Sequence, residues 1–370
     1  MNGAESLVRK VVNGGVEVCF TKPGTSEMHF VAALDKVDGV NCLLCLFEGV
    51  VTGAADGYAR MAGKPASTLL HLGPGLGNAI ANLHNARKAD TPMINIVGEH
   101  ATYHVEHDAP LTADIEGIAR PVSHWVRTSR DSKTVAADAA EAIATASAPP
   151  GQIATLILPA NTAWEDAEGP ATVPAMAGRA TVSDDAISTA ASVLRSGEPT
   201  VLLLAGQALY ENTLDLAGRI AAKTDAGLIT QGANARLQRG AGRVAVNRIP
   251  FSVDQALEVL APYRNIILVG AKPPVAFFAY PGKPSRLEAE GCKIHRLCEL
   301  VEDAEDALAR LAEDVGAKPG DAAVQQAFRP DMPEGALTAE TIAAVLGNAL
   351  PEGAIVADES VSVGRGFFGL

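Results

Sequence analysis

The sequence predicts an α/β fold: two consecutive parallel-sheet units, each covered by helices on both faces, then the start of a third unit. Three observations predict it. Apolar runs of strand length alternate with longer segments of helical period. Hydrophobic content of 48% with only 4% aromatic implies a core of Ala, Val, Leu and Ile, as stacked strand and helix layers require. A length of 370 residues is more than one core comfortably fills and suits two domains with a remainder.

The elements follow in order. A helix over 3–14 leads to a strand over 16–20 and a turn, Pro23-Gly24-Thr25-Ser26-Glu27, in which Thr25 or Ser26 can cap a helix over 27–34. The apolar run 42–47 reads as a buried strand ending at Glu48, and a small-residue helix follows it. A strand over 67–72, a glycine loop over 73–77, a helix over 78–89 and a strand over 93–98 come next, then a helix over 135–147 and a strand over 153–158. Strands joined by helical crossovers imply a parallel sheet. Residues 160–182, rich in Pro, Gly, Ala and acids, read as a linker. The second unit carries strands over 200–204, 227–230, 265–269 and 293–297, and a loose stretch near 316–334 closes it. A helix over 338–350 and a strand over 354–357 start a third unit, too little to bury a core by itself.

Charge and cysteine content narrow the function. A net charge of −13 argues against nucleic-acid partners and anionic membrane surfaces. No run approaches the ~18 apolar residues of a spanning helix, and the mixed-charge N-terminus is unlike a signal peptide. Five scattered cysteines imply no disulfide framework, so a cytoplasmic location is expected. Cys42 and Cys45 form a C-x-x-C, but residues three apart on a strand face opposite ways and no second pair is present. Buried apolar packing is the expectation there.

Glu48 is the most informative residue. A carboxylate at the junction of an apolar strand and a helix is desolvated, which favours its protonated form. Gly49, Gly53 and Gly57 share one face of the following helix, each at a cost of roughly 1 kcal/mol against Ala. That face therefore needs a packing reason, such as a cofactor or another backbone.

Other clusters admit two readings each. The loop Gly73-Pro74-Gly75-Leu76-Gly77 could cradle a phosphate, and Glu99 lies about twenty residues on, as in a dinucleotide fingerprint. The glycine spacing and the position after a third strand oppose that reading. His100, His104 and His107, with Glu99, Glu106 and Asp108, could hold a metal or form a polar loop at a strand's carboxyl end. His71 is either a core histidine or a functional one.

Three stretches together carry a resemblance: Pro23-Gly24-Thr25-Ser26-Glu27; Phe47-Glu48-Gly49 with Ala55-Asp56-Gly57-Tyr58-Ala59-Arg60; and His71-Leu72-Gly73-Pro74-Gly75 with Asn78. They resemble the pyrimidine-binding domain of thiamine-diphosphate-dependent 2-oxoacid enzymes, most like acetolactate synthase large subunits, with benzoylformate decarboxylase close by. The resemblance continues through 231–242 and 273–281. It implies a pyrimidine-binding domain over 1–165, a Rossmann-like middle domain over 183–320 and, over 335–370, the truncated start of a diphosphate-binding domain.

The family's glutamate, matched by Glu48, hydrogen-bonds the cofactor's aminopyrimidine, which activates the thiazolium carbon for attack on a 2-oxoacid. The resemblance places Pro23, Gly24, Thr25, Pro74 and Asn78 around the pyrimidine. His71 matches an active-site histidine of the benzoylformate decarboxylase pattern, whereas Gly73-Pro74-Gly75 is the acetolactate synthase form of the loop. The expected activity is decarboxylation of a 2-oxoacid and transfer of the fragment to an acceptor. The alternatives are a non-ligating aromatic 2-oxoacid decarboxylase or an inactive half-site subunit. The family binds diphosphate through Mg2+ with a Gly-Asp-Gly motif. Gly320-Asp321-Ala322 is the nearest imitation here, so metal ligands are expected in a missing domain. FAD use stays open. A homodimer or homotetramer is expected, because the family's site spans two subunits.

Overall fold

The computed structural model of the chain describes residues 1–169, 172, 176–360 and 362–369. Its first sheet is built from β1 (Val18–Lys22), β2 (Asn41–Leu44), β3 (Ala66–Leu70), β4 (Met93–Glu99), β5 (Trp125–Thr128) and β6 (Ile153–Pro159). The strands lie in the order β2-β1-β3-β4-β6-β5, and every pairing is parallel. The central strands β3, β4 and β6 are buried along their whole length.

Successive residues of these strands serve opposite layers, as the pleat requires. Leu69, Ile96 and Leu156 join a core with α1 (Gly3–Asn13), α2 (Met28–Lys36) and α6 (Val135–Ser147). Their neighbours Leu70, Val97 and Ile157 face α3 (Glu48–Ala62), α4 (Leu72–Lys88) and α5 (Ile115–Ala119) on the other side. The expected strand–helix alternation is therefore present, with β5 added.

Two expectations change. The run 42–47 is not a buried strand: β2 covers only its first part and is exposed throughout, because it is the edge of the sheet with β1 on one side alone. Leu44, Leu46 and Phe47 are 72%, 91% and 49% exposed. Cys42 is likewise exposed and Cys45 half-buried, so the C-x-x-C is not core packing. The second change is at the glycine loop. Residues 73–77 are the first turns of α4, which begins at Leu72. Pro74 is tolerated there because the first N–H groups of a helix have no partner within it.

The second sheet holds β7 (Thr200–Leu204), β8 (Gly227–Thr230), β9 (Asn247–Arg248), β10 (Asn265–Val269) and β11 (Lys293–Cys298). The order is β11-β10-β7-β8-β9, again parallel throughout. Leu202, Leu204, Ile267 and Val269 pack against one helix layer, and Val201, Leu203, Ile266 and Leu268 against the other. Between the sheets, the expected linker starts as α7 (Ala160–Trp164), and Ala180 bridges to Glu302. Residues 170, 171 and 173–175 of that linker lie outside the described residues. The guanidinium of Arg236 donates to the carbonyl of Met61 at 3.0 Å, tying the end of α3 to the second unit.

Toward the end of the chain, the helix Ala339–Ala349 forms as expected, with the Thr338 hydroxyl accepting from the Thr341 N–H at 3.2 Å. Residues 354–357 do not form the expected strand; they are exposed, and no neighbouring strand pairs with them among the described residues. Residues 361 and 370 of the expected third unit lie outside the described residues.

Candidate functional site

Parallel strands gather the segments that follow their carboxyl ends. Because β1 lies between β2 and β3, with β4 beyond, the segments after these four strands converge. They carry Pro23 to Glu27, Glu48, His71 and Glu99–His100.

Glu48 is the first residue of α3 and is only 6% exposed. The helix N-terminus, with unpaired N–H groups pointing outward, favours a carboxylate at this position. The side-chain amide of Asn78, from the second turn of α4, donates to Glu48 Oε2 at 3.0 Å. The other oxygen, Oε1, lies toward Gly75, where an added Cβ would stand 3.4 Å from it and 3.3 Å from the Cβ of His71. Glu48 and His71 thus flank one glycine. The helix pair is held together by the Asn82 amide, which donates to the carbonyl of Gly49 at 2.6 Å.

The glycine-faced helix divides three ways. A Cβ at Gly53 would meet Asn82 of α4 at 3.2 Å, so close helix packing accounts for that residue. A Cβ at Gly49 would meet the ring of Phe47 at 2.4 Å, and one at Gly57 would meet nothing within 4 Å.

His71 caps α4 at its N-terminus, and the next residue, Leu72, is fully buried with φ +45°. A leucine in the left-handed region costs on the order of 1–3 kcal/mol and persists only where packing enforces it. This sharp strand-to-helix step presents the imidazole. Its Nδ1 lies 2.8 Å from Glu27 Oε2. Glu27 also accepts the N–H of Gly24 on Oε2 at 2.7 Å and the hydroxyl of Ser26 on Oε1 at 2.6 Å. Two glycines close on this pair. A Cβ at Gly24 would stand 2.1 Å from His71 Nδ1, and one at Gly98, in β4, 1.7 Å from Glu27 Oε1. Backbone and carboxylate need that space.

The sequence-derived candidates therefore sort as follows. Glu48, Asn78 and His71 come together, and the Gly24 N–H reaches the same cluster through Glu27. Pro23 lies beside it, half-buried, while Thr25 and Pro74 are exposed on the two flanking turns. The residue that sequence reasoning missed is Glu27. It was visible in the first motif, but only its contact with a histidine 44 positions away reveals it.

Residues 101–107 form a turn and a 3-10 segment rather than the helix that would set His100 and His104 on one face. Their rings and that of His107 run in file, with centroids 5.5 and 5.6 Å apart. Among the described residues no group of three or more His, Cys, Asp or Glu is arranged to hold a metal ion. Burial raises the Glu99 carboxyl above its ordinary range, and the His100 N–H that it accepts at 2.7 Å opposes the rise. Burial, then His104 and His71, push the His100 imidazole down. A cavity of about 510 Å3 lined by Glu211, Asp215, Arg219 and Arg243 belongs to the second unit and not to this site.

Residues 1–118 match the family "Thiamine pyrophosphate enzyme, N-terminal TPP binding domain". The "Putative acetolactate synthase large subunit IlvX" of Mycobacterium tuberculosis is 52% identical over 366 residues, covering 98% of this chain and 70% of that protein. Benzoylformate decarboxylase of Pseudomonas aeruginosa is 31% identical over 146 residues, covering 39% of this chain and 27% of that enzyme. The thiamine diphosphate-dependent 4-hydroxybenzoylformate decarboxylase of Rhodococcus jostii RHA1 shares the fold, with a TM-score of 0.84 at 20% identity over 100% of this chain and 73% of that one. The chain belongs to the thiamine-diphosphate-dependent enzymes, of the acetolactate synthase and benzoylformate decarboxylase type.

Proposed function

We propose that this chain supplies the pyrimidine half-site of an enzyme that decarboxylates a 2-oxoacid on thiamine diphosphate and transfers the fragment to an acceptor. The observation that carries the reading is the buried Glu48 carboxylate, with one oxygen held by Asn78 and the other facing the space that Gly75 leaves open. Such a carboxylate fits a heteroaromatic ring nitrogen. Its free oxygen can share a proton in a place from which water is largely excluded.

When bound, thiamine diphosphate supplies the electron sink for the carbon that loses CO2. Glu48 would share a proton with the aminopyrimidine, and Asn78 would keep its carboxylate fixed for that contact. Pro23, Gly24, Thr25 and Pro74 would line the bound pyrimidine, and His71 would exchange a proton with the substrate-derived group. Magnesium is assigned to a diphosphate-binding domain and to no residue of this site. FAD is assigned no residue here.

A second copy of the chain is proposed to cover the apolar edge formed by Leu44, Leu46, Phe47 and Val50, all exposed beside Glu48. A cytoplasmic location is part of the same proposal; no helix among the described residues is long and apolar enough to cross a membrane.

The imidazole of His71, set against Glu27, supports a second reading. A titrating group suits protonation of the intermediate to release an aldehyde, as a simple decarboxylase requires. Product analysis separates the two: aldehyde without acetohydroxyacid favours the decarboxylase.

The central test is Glu48→Gln. Turnover dependent on thiamine diphosphate is expected to fall by about 10²- to 10⁴-fold, the range for a lost proton-transfer group. Near-normal turnover would sink the assignment. Calorimetry with thiamine diphosphate and Mg2+ tests the half-site reading: tight binding by a monomer of this chain alone would refute it.

A further inference from the structure

Nothing in the family match assigns a role to Glu27, and its surroundings are too specific for a residue that merely ends a turn. Its side chain is 2% exposed, against 21% for the His71 side chain it contacts. Three groups converge on it: the Gly24 N–H donates to one oxygen, which also lies 2.8 Å from His71 Nδ1, and the Ser26 hydroxyl donates to the other. None of the three is a countercharge unless the imidazole itself is protonated. The fold also clears space for this pair from two strands. Gly24 after β1 and Gly98 in β4 both stand where any Cβ would collide with it, at 2.1 Å from His71 Nδ1 and 1.7 Å from Glu27 Oε1.

The chemistry follows from the donor count. A carboxylate only accepts, so the nitrogen facing it must carry the hydrogen. That leaves Nε2 with its lone pair in the neutral ring, since the bond at one ring nitrogen sets the state of the other. The lack of a side chain at Gly24 leaves the ring room for this orientation, since a Cβ there would stand 2.1 Å from Nδ1. We infer that Glu27 is a positioning residue: it locks His71 in the Nδ1-protonated tautomer, makes Nε2 the nitrogen that exchanges a proton with the reacting group, and stabilises the imidazolium while that proton is held. The proton accepted at Nε2 leaves the reacting group as H+ and returns by the same nitrogen, so no further reactant is needed. The tautomer assignment stands on geometry alone; its catalytic consequence rests on the reading of the preceding subsection.

The test starts with the unmodified chain labelled with 15N-histidine, the His71 resonances being identified by their loss in His71→Asn. At a pH where the ring is neutral, the expected signature is protonated Nδ1 and unprotonated Nε2. Glu27→Gln can present its carbonyl to Gly24 and His71 while Ser26 turns to accept, so it should keep this tautomer. Glu27→Leu should release the ring to the mixture seen for free imidazole. An Nε2-protonated signature in the unmodified chain overturns the inference, as does an unchanged spectrum in Glu27→Leu. If the leucine variant does not fold, the unmodified chain still decides.

In the holoenzyme assayed with benzoylformate and with pyruvate, Glu27→Gln should lower kcat by about 10- to 100-fold and leave KM within about threefold. An unchanged kcat refutes the catalytic consequence. Failure of the unmodified holoenzyme to bind thiamine diphosphate would overturn the proposed function, while the spectrum still decides the tautomer.

Discussion

The centre of the first sheet and the run at its β2 edge both carry adjacent apolar residues in sequence and are opposite in structure. Leu69 and Leu70 in β3, and Ile96 and Val97 in β4, have a strand on each side and a helix layer on each face, and all four are fully buried. Leu43, Leu44, Leu46 and Phe47 belong to a run that is apolar throughout and are all exposed. Apolar composition states that surface gains by leaving water; it does not state what covers it. Glu48 sits where the two regions meet, with its carboxylate buried against α4 and its strand neighbours open.

This contrast can be broken by measurement. The largest effect is expected at Glu48 itself, where the glutamine substitution removes turnover and leaves both surfaces in place. Next is the core. Leu83→Ala, a fully buried position on α4, should destabilise the chain by about 2–5 kcal/mol in chemical denaturation. A loss under about 1 kcal/mol would mean that this layer packs more loosely than described. At the edge, Leu46→Ala should change the stability of the monomer by no more than about 0.5 kcal/mol. A larger loss in the monomer would show that the edge is covered within the chain.

A smaller effect concerns pH. His100 has its imidazole held below the ordinary value of 6.5 by burial, with His104 and His71 adding to it. Below pH 6.5 the folded chain therefore binds fewer protons at this site than the unfolded chain. The contribution to stability is present above that pH and lost as pH falls through the folded value. His100→Asn should flatten the acid-side decline of Tm, and an unaltered slope would refute this.

Much of the architecture was legible in the sequence because strand length and helical period are local signals. The strands over 93–98 and 153–158 fall within one residue of β4 and β6. Three features were not local. β5 is four half-buried residues containing Trp125 and Arg127, with no apolar run to announce it. The start of α4 was hidden by Gly73, Pro74 and Gly75, residues that mark loops everywhere except in a helix's first turn. Glu27 carries no signal of its own, since its partner lies two strands away in sequence and one strand away in space. Burial of the 42–47 run failed as an expectation for the reason the comparison exposes: edge or centre is decided by strand order, which composition does not encode.

The exposed thiol of Cys42 turns the open edge into something that can be watched. Cys19 and Cys298 are buried, their thiols pushed up to about 12, and Cys292 and Cys45 are half-buried and also raised. A thiolate-selective maleimide should therefore react first at Cys42. Its labelling rate, followed by peptide mass spectrometry as protein concentration rises, is a built-in gauge of how long β2 stays uncovered. A rate independent of concentration would mean that no second copy shields this strand.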